Sequence, residues 1–308
     1  MSDTDDIPFN RDFALKPGVV DEVSPGVRRV LCNNPSPFTF TGTVSYIVGR
    51  GKVAIIDPGP DDEAHAAALL DAVRGETVTH ILVTHTHRDH SPNTARIKAA
   101  TGAPVYAEGP HRASRPRYES EKISSESGAD RNFAPDIRVR DGDTIEGSGW
   151  ALQAVATPGH TANHLAFAWP DRKLSFVGDH VMGWSTSIVA PPDGSMIDYM
   201  ASLDRLARRE EDLYFSGHGP EIPAARRYVR FLTRHRQARE ASILHRLGKG
   251  EADIPTLVRA IYIGIDPRLT GAAGYSVLAH LEDLVARGIV ATAGDPVIGG
   301  SYRMANGE

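Results

Sequence analysis

The sequence predicts an α/β (α+β) chain: two β-sheets packed face to face with helices outside, followed by a small winged-helix-like C-terminal domain. Two observations predict it. Short β-rich runs come in two batches, each followed by helices, the arrangement of a layered domain. From residue 223 the character changes to three helical stretches and one hairpin.

In the first batch, residues 27–31, 43–48 and 52–56 are β-rich runs separated by Pro and Gly, and Gly49, Arg50 and Gly51 supply the turn between the second and third. Residues 61–72 read as a helix rich in good helix formers. Asp61, Asp62 and Glu63 put negative charge at its N-terminus, where the helix dipole favours it. Residues 79–83 form an apolar strand, and 91–100 a helix ending at Gly102. Residues 108–136 break the rhythm. They are polar, rich in Ser and Arg and without period, and read as a long functional or mobile loop. Strands resume at 136–139 and 150–156. The runs 165–169 and 173–177 flank Pro170-Asp171-Arg172, a hairpin turn; 197–208 is a helix and 213–215 a short strand. The C-terminal part has helices at 223–247, 254–261 and 275–286, the last stopped by Gly288, and strands at 289–293 and 297–303 around Gly294-Asp295-Pro296. The expected domains are 1–222 and 223–308, with the first helix of the second shared between them. No repeat with a shared motif is visible, which excludes a solenoid.

Composition narrows the function classes. A chain of 308 residues suits one large domain plus a small one. Its 41% apolar and 24% charged residues are those of an ordinary globular protein and exclude disordered and fibrous classes. A net charge of −5 argues against coating nucleic acid or anionic membrane through bulk charge. The lone cysteine, Cys32, cannot form an internal disulfide and reads as a small strand residue. The acidic start has no basic region followed by an apolar core, and no apolar run reaches the roughly 18 residues a membrane helix needs. The expectation is a cytoplasmic protein without membrane contact.

The strongest chemical signal follows the strand at 79–83: Thr84-His85-Thr86-His87-Arg88-Asp89-His90. His85 and His87 are two apart, so on an extended segment they point to one side. Asp89 and His90 lie where the chain turns towards a helix, aimed at a second point nearby. Imidazole and carboxylate are ligands that zinc takes, so one segment can feed two adjacent ions. Three further segments each follow an apolar strand: Pro158-Gly159-His160-Thr161, Gly178-Asp179-His180 and Ser216-Gly217-His218-Gly219. Glycines beside each donor let the backbone turn sharply and approach closely.

His85-x-His87-x-Asp89-His90, then His160, Asp179 and His218, resemble the motifs of the metallo-β-lactamase superfamily in order, over roughly residues 40–220. Asp57, in Ile55-Ile56-Asp57-Pro58-Gly59, resembles the first motif of that family. The resemblance implies an αββα sandwich with the site at one edge of the sheets. It implies that His85, His87 and His160 hold one ion, that Asp89, His90 and His218 hold the other, and that Asp179 bridges them. Asp89 and Asp57 are the candidate catalytic carboxylates, Asp57 as an acceptor that orients a ligand histidine. The ions expected are two zincs, with manganese or iron compatible. They would share a hydroxide that attacks an ester, thioester, lactone or phosphodiester. His164 and His180, beside ligands, are candidates for the leaving-group acid.

The closer likeness is to the branch that includes a mitochondrial metallo-β-lactamase-like endoribonuclease. It rests on residues 178–184, on Tyr199-Met200-Ala201-Ser202-Leu203, on Ser216-Gly217-His218-Gly219-Pro220, and on His235-Arg236-Gln237-Ala238-Arg239-Glu240 before the winged-helix-like tail. One class of zinc β-lactamases uses a cysteine where Asp179 stands, and Cys32 cannot fill that place, so antibiotic hydrolysis is not expected. Diiron oxidoreductases of the superfamily carry Glu in place of His87. Glyoxalase-type thioester hydrolysis shares all seven ligands. The tail from residue 237 onward carries seven basic and eight acidic residues, so sequence-specific DNA binding is not expected. Arg226, Arg230 and Arg234 share one helix face, and Arg112, Arg115 and Arg117 sit in the long loop, where they could contact phosphates. The partners expected are a small-molecule ester or thioester, or single-stranded RNA, and the chain is compatible with a homo-oligomer. A non-enzymatic binding protein on the same fold is the rival class, and the complete ligand set argues against it.

Overall fold

The computed structural model describes residues 7–121 and 128–305, so the expectations for the first residues and for positions 122–127 of the long loop lie outside the described residues. The first sheet runs, in spatial order, β1 (Val20–Ser24), β2 (Val27–Leu31), β3 (Val44–Arg50), β4 (Lys52–Ile56), β5 (Thr77–Leu82), β6 (Val105–Ala107) and β7 (Ile137–Arg138). Its first four strands are antiparallel neighbours, and from β4 onward the pairing is parallel. Parallel neighbours need crossovers, and α1 (Glu63–Ala72) and α2 (Thr94–Thr101) supply two of them. The Asp62 carboxylate caps α1 by accepting from the His65 amide at 2.9 Å.

The second sheet contains β8 (Thr144–Gly147), β9 (Trp150–Ala156), β10 (Leu165–Trp169), β11 (Leu174–Gly178), β12 (Leu213–Ser216) and β13 (Ile222–Pro223), paired in the order β13-β12-β11-β10-β9-β8. The parallel pair β11/β12 is joined through α3 (Met196–Ala207). The tail comprises α4 (Ala225–Leu247), β14 (Ala252–Asp253), α5 (Ile254–Ile261), α6 (Thr270–Ala286), β15 (Val290–Thr292) and β16 (Ser301–Met304), with a small sheet ordered β14-β16-β15.

Strand alternation builds the layers. In β4, Ala54 and Ile56 point between the sheets, where they meet Leu165, Phe167 and Trp169 of β10. Val53 and Ile55 point the other way, into a core with Leu69 of α1 and Ile97 of α2. In β10 the outward residues are Ala166 and Ala168, small enough for Tyr199 and Leu203 of α3 to pack closely. On α4, Ala225, Tyr228, Val229 and Leu232 recur at helical spacing and join this outer core. Farther along, Ile243 and Leu247 belong to the core of the tail, so one helix serves both.

The predicted layers and winged-helix tail are present, with local differences. β1, β6, β8, β13 and β14 go unread in the sequence because they are short or half-polar. α6 begins five residues earlier than predicted. Gly271 and Gly274 hide that turn from a propensity reading, although Gly274 is buried next to Ile254 of α5. The last strand starts only at Ser301, because the Gly300 amide turns back to the Val297 carbonyl at 2.9 Å.

Candidate metal centre

Five strand C-termini deliver the candidate residues: β4 leads to Asp57, β5 to His85 through His90, β9 to His160, β11 to Asp179 and β12 to His218. Strand ends can converge here only where the backbone lacks a side chain. A Cβ on Gly217 would overlap the Asp179 carboxylate and the His90 ring.

All seven predicted donors are brought together, in two groups whose members lie within 4.8 Å of one another. In the first, His87 Nδ1 is 3.1 Å from His85 Nε2 and 3.0 Å from His160 Nε2. A tetrahedral ion with bonds of about 2.0–2.1 Å has edges of roughly 3.3 Å, close to these separations. In the second, His218 Nε2 is 3.2 Å from both Asp89 Oδ2 and Asp179 Oδ2, and His90 Nε2 is 3.4 Å from Asp179 Oδ1. Asp179 Oδ2 is also 3.7 Å from His160 Nε2, so this carboxylate borders both groups.

The ring nitrogens facing away from the centre are held by acceptors. His90 Nδ1 is 3.0 Å from Asp57 Oδ2, His160 Nδ1 is 2.7 Å from the Ile188 carbonyl, and His218 Nδ1 is 3.1 Å from the Gly42 carbonyl. Such acceptors take only a proton, which fixes one on Nδ1 and leaves Nε2 as the nitrogen that faces the centre. Asp57 also accepts from the Thr84 amide and hydroxyl, each at 2.7 Å. With its proton directed at Asp57, the Thr84 hydroxyl oxygen accepts from His85 Nδ1 at 3.0 Å. Asp57, His85 and His90 also lie close together, but the Asp57 oxygens are occupied by these bonds. Asp57 therefore stands behind His90 as a positioning group, with its backbone in the left-handed region at φ 49°.

The two groups differ in charge. Burial, then the neighbouring imidazoles, pushes His85 well down and His87 down to about 3; burial lowers His160 too. In the second group burial would lower His90 and His218, but the facing Asp179 and Asp89 carboxylates outweigh it. They hold His90 well above its ordinary value and His218 at about 9. Burial would raise the two carboxyls, yet the facing imidazoles hold both well below the usual range. His90 Nε2, His218 Nε2 and Asp179 Oδ1 are buried with no hydrogen-bond partner among the described residues. Buried polar atoms normally have partners, and a divalent cation supplies one to all three. The residues fit such a cation, and the nitrogen and carboxylate donors suit zinc.

His164 and His180 lie fully buried behind the donors. His164 is 2.8 Å from Thr157 Oγ1 and stacks on His85 at 5.1 Å; His180 packs on Tyr199 at 4.6 Å. Cys32 is a buried thiol pushed up to about 12 by burial and by Asp62, and it belongs to neither group. Of the arginines proposed for phosphate, Arg112 pairs with Glu108 at 2.7 Å, Arg226 with Asp212 at 3.5 Å, and Arg115 lies between Glu121 and Glu282 at 2.5 Å each. Sequence reasoning missed Thr84 and the carbonyls of Gly42 and Ile188. A Thr before a His-x-His run is visible in the sequence, but a backbone acceptor has no residue signature.

Residues 38–218 match the family model described as metallo-beta-lactamase superfamily, and residues 254–300 match beta-lactamase associated winged helix domain. A beta-lactamase-like protein 2 homolog of Caenorhabditis elegans is 30% identical over 240 residues, 75% of this chain and 74% of that protein. An atrochrysone carboxyl ACP thioesterase of Claviceps purpurea is 29% identical over 254 residues, 80% of this chain and 71% of that protein. A crystal structure of a metallo-beta-lactamase family protein from Thermus thermophilus has a TM-score of 0.74 at 24% identity, over 92% of this chain and 100% of that chain. A beta-lactamase domain protein from Burkholderia ambifaria has a TM-score of 0.78 at 20% identity, over 96% of each chain. These two share the fold. No helix among the described residues is long and apolar enough to cross a membrane.

Proposed function

The chain belongs to the metallo-β-lactamase superfamily, and from that premise we propose that it is a binuclear zinc hydrolase whose substrate is a small-molecule thioester or ester. The observation that carries the reading is the convergence of seven donors in two groups that both border Asp179, with buried nitrogen and oxygen atoms left without a hydrogen-bond partner among the described residues. His85, His87 and His160 would hold one ion, and Asp89, His90 and His218 the other, with Asp179 between them. When bound, the pair supplies a shared water ionised near neutral pH and positive charge for a developing oxyanion. Asp57, Thr84 and the Ile188 and Gly42 carbonyls fix the imidazole orientations before substrate arrives. The Asp89 side chain is 26% exposed, whereas those of His90 and His218 are 0% and 1%. Substrate therefore approaches past Asp89, and the buried His90 and His218 stay dry behind it. The thioester preference draws on the thioesterase relative.

The test is metal analysis of the purified protein, followed by assays on a model thioester, an oxygen ester, a lactone, a phosphodiester and single-stranded RNA. Two zincs per chain and thioester turnover that a chelator abolishes and zinc restores are expected. A protein that retains no divalent cation after reconstitution overturns the reading, and cleavage of RNA alone moves it to an endoribonuclease.

A further inference from the structure

The motif His235-Arg236-Gln237-Ala238-Arg239-Glu240 supplies no metal donor, yet one of its side chains reaches the back of the centre. Arg236, on α4, is 2% exposed. Its Nη2 donates to the Ser187 carbonyl, its guanidinium lies 5.0 Å over the Tyr199 ring, and its Nε has no hydrogen-bond partner among the described residues. A cation buried with so little compensation is a poor source of stability and a better means of specifying one arrangement.

The segment it holds touches both groups of donors. The Ser187 hydroxyl sits between the carbonyls of Asp179, at 2.6 Å, and His180, at 2.9 Å. The next carbonyl, that of Ile188, accepts from His160 Nδ1 at 2.7 Å. The Tyr199 hydroxyl, whose ring lies under the guanidinium, donates to the His180 carbonyl at 3.1 Å. One turn farther along α4, Arg239 donates to the Ile261 carbonyl at 2.8 Å and Glu240 pairs with Arg287 at 2.7 Å. Adjacent turns of one helix therefore grip residues 187–188 on one side and the winged-helix tail on the other.

We propose that Arg236 is a positioning residue through which the C-terminal domain sets the metal affinity of the centre. It acts through Ser187 on Asp179 and through Ile188 on His160, and the proposal rests on the metal-centre reading above. The test uses Arg236→Met, Arg236→Lys, Ser187→Ala and the double variant Arg236→Met/Ser187→Ala. Zinc affinity is measured by competition with a chromophoric chelator, the absorption spectrum is recorded after cobalt substitution, and thermal unfolding is followed without metal. Arg236→Met is expected to weaken zinc binding on the order of tenfold or more and to alter the cobalt spectrum, as removal of groups that orient ligands does. Arg236→Lys keeps the charge but loses the planar fork, and it should recover only part of the affinity. The double variant should lose less than the product of the single losses, because both act on one segment. An Arg236→Met protein that melts lower but keeps the wild-type zinc affinity and cobalt spectrum overturns the proposal. If that variant does not fold, an unchanged affinity in Ser187→Ala overturns it. A wild-type protein that binds no zinc instead removes the metal-centre reading on which the proposal rests, so the two failures are distinct.

Discussion

The two halves of the centre hang from the same edge of one sandwich and are opposite in character. His85, His87 and His160 form a cup of neutral nitrogens, because burial and mutual repulsion push their protons off. Asp89, His90, Asp179 and His218 form an ion cluster, because two carboxylates face two imidazoles at 3.2–3.6 Å and hold them protonated. Burial opposes the charged imidazole in both halves, and it is outweighed only at His90 and His218, where Asp89 and Asp179 both act on the ring; at His160 the more distant Asp179 does not reverse it. A cation entering the first half meets only lone pairs, whereas one entering the second takes the place of protons. The supports are mixed in both halves: backbone carbonyls back His160 and His218, and the side chains of Thr84 and Asp57 back His85 and His90.

Asp179 places carboxylate oxygens beside His160 of one half and His90 and His218 of the other, so its removal is expected to have the largest effect. In Asp179→Ala most bound metal and all turnover should be lost, as read by metal analysis and by hydrolysis assays on the same preparation. Full zinc content with normal turnover would show that neither half depends on this carboxylate and would break the two-half description. A smaller and uneven effect is expected from Asp57→Ala. It removes the acceptor of His90 Nδ1 and leaves the Thr84 amide unpaired. Loss of such a support typically costs 10–100-fold in metal affinity, and here the larger share should fall on the binding step that uses His90 in a zinc titration, because Asp57 reaches His85 only through Thr84. Equal weakening of both steps would mean that the Thr84 relay to His85 carries as much of the support as the direct contact to His90.

Much of this division was legible in the sequence. Spacing placed His85 and His87 on one side and Asp89 and His90 at a second point, and the donors at 160, 179 and 218 each followed an apolar strand with glycine beside it. Strands buried on both faces, such as β4 and β10, were read because β-branched, aromatic and small residues crowd into short runs between turn residues. The rest was illegible for physical reasons. β6 and β8 gain their structure from neighbours rather than from their own pattern. The carbonyls of Gly42 and Ile188 act through backbone atoms that every residue carries. Arg236 was visible as a motif residue, but its reach to Ser187 depends on how α4 lies across α3, and no spacing within α4 encodes that.

The last expected effect concerns the rear of the charged half, and it is one of pH. Behind Asp57, the His65 Nε2 is 2.8 Å from the Ser45 hydroxyl, which in turn donates to the Asp57 carbonyl at 2.5 Å. Burial pushes His65 down to about 4 against the opposing pull of Asp62, and its Nδ1 has no partner among the described residues. In the unfolded chain a histidine titrates near 6.5, so as pH falls the unfolded state takes up this proton first. The stability that neutral His65 preserves is therefore complete above about pH 6.5 and is lost between 6.5 and 4, amounting to about 3 kcal/mol by pH 4. The His160 support has no such dependence, because the Ile188 carbonyl does not titrate. Thermal unfolding of the metal-free protein from pH 7 to pH 4 should fall more steeply for wild type than for His65→Gln, which keeps a polar side chain there without the titration. Parallel pH profiles for the two proteins would show that protonation of His65 plays no part in the acid sensitivity of this support.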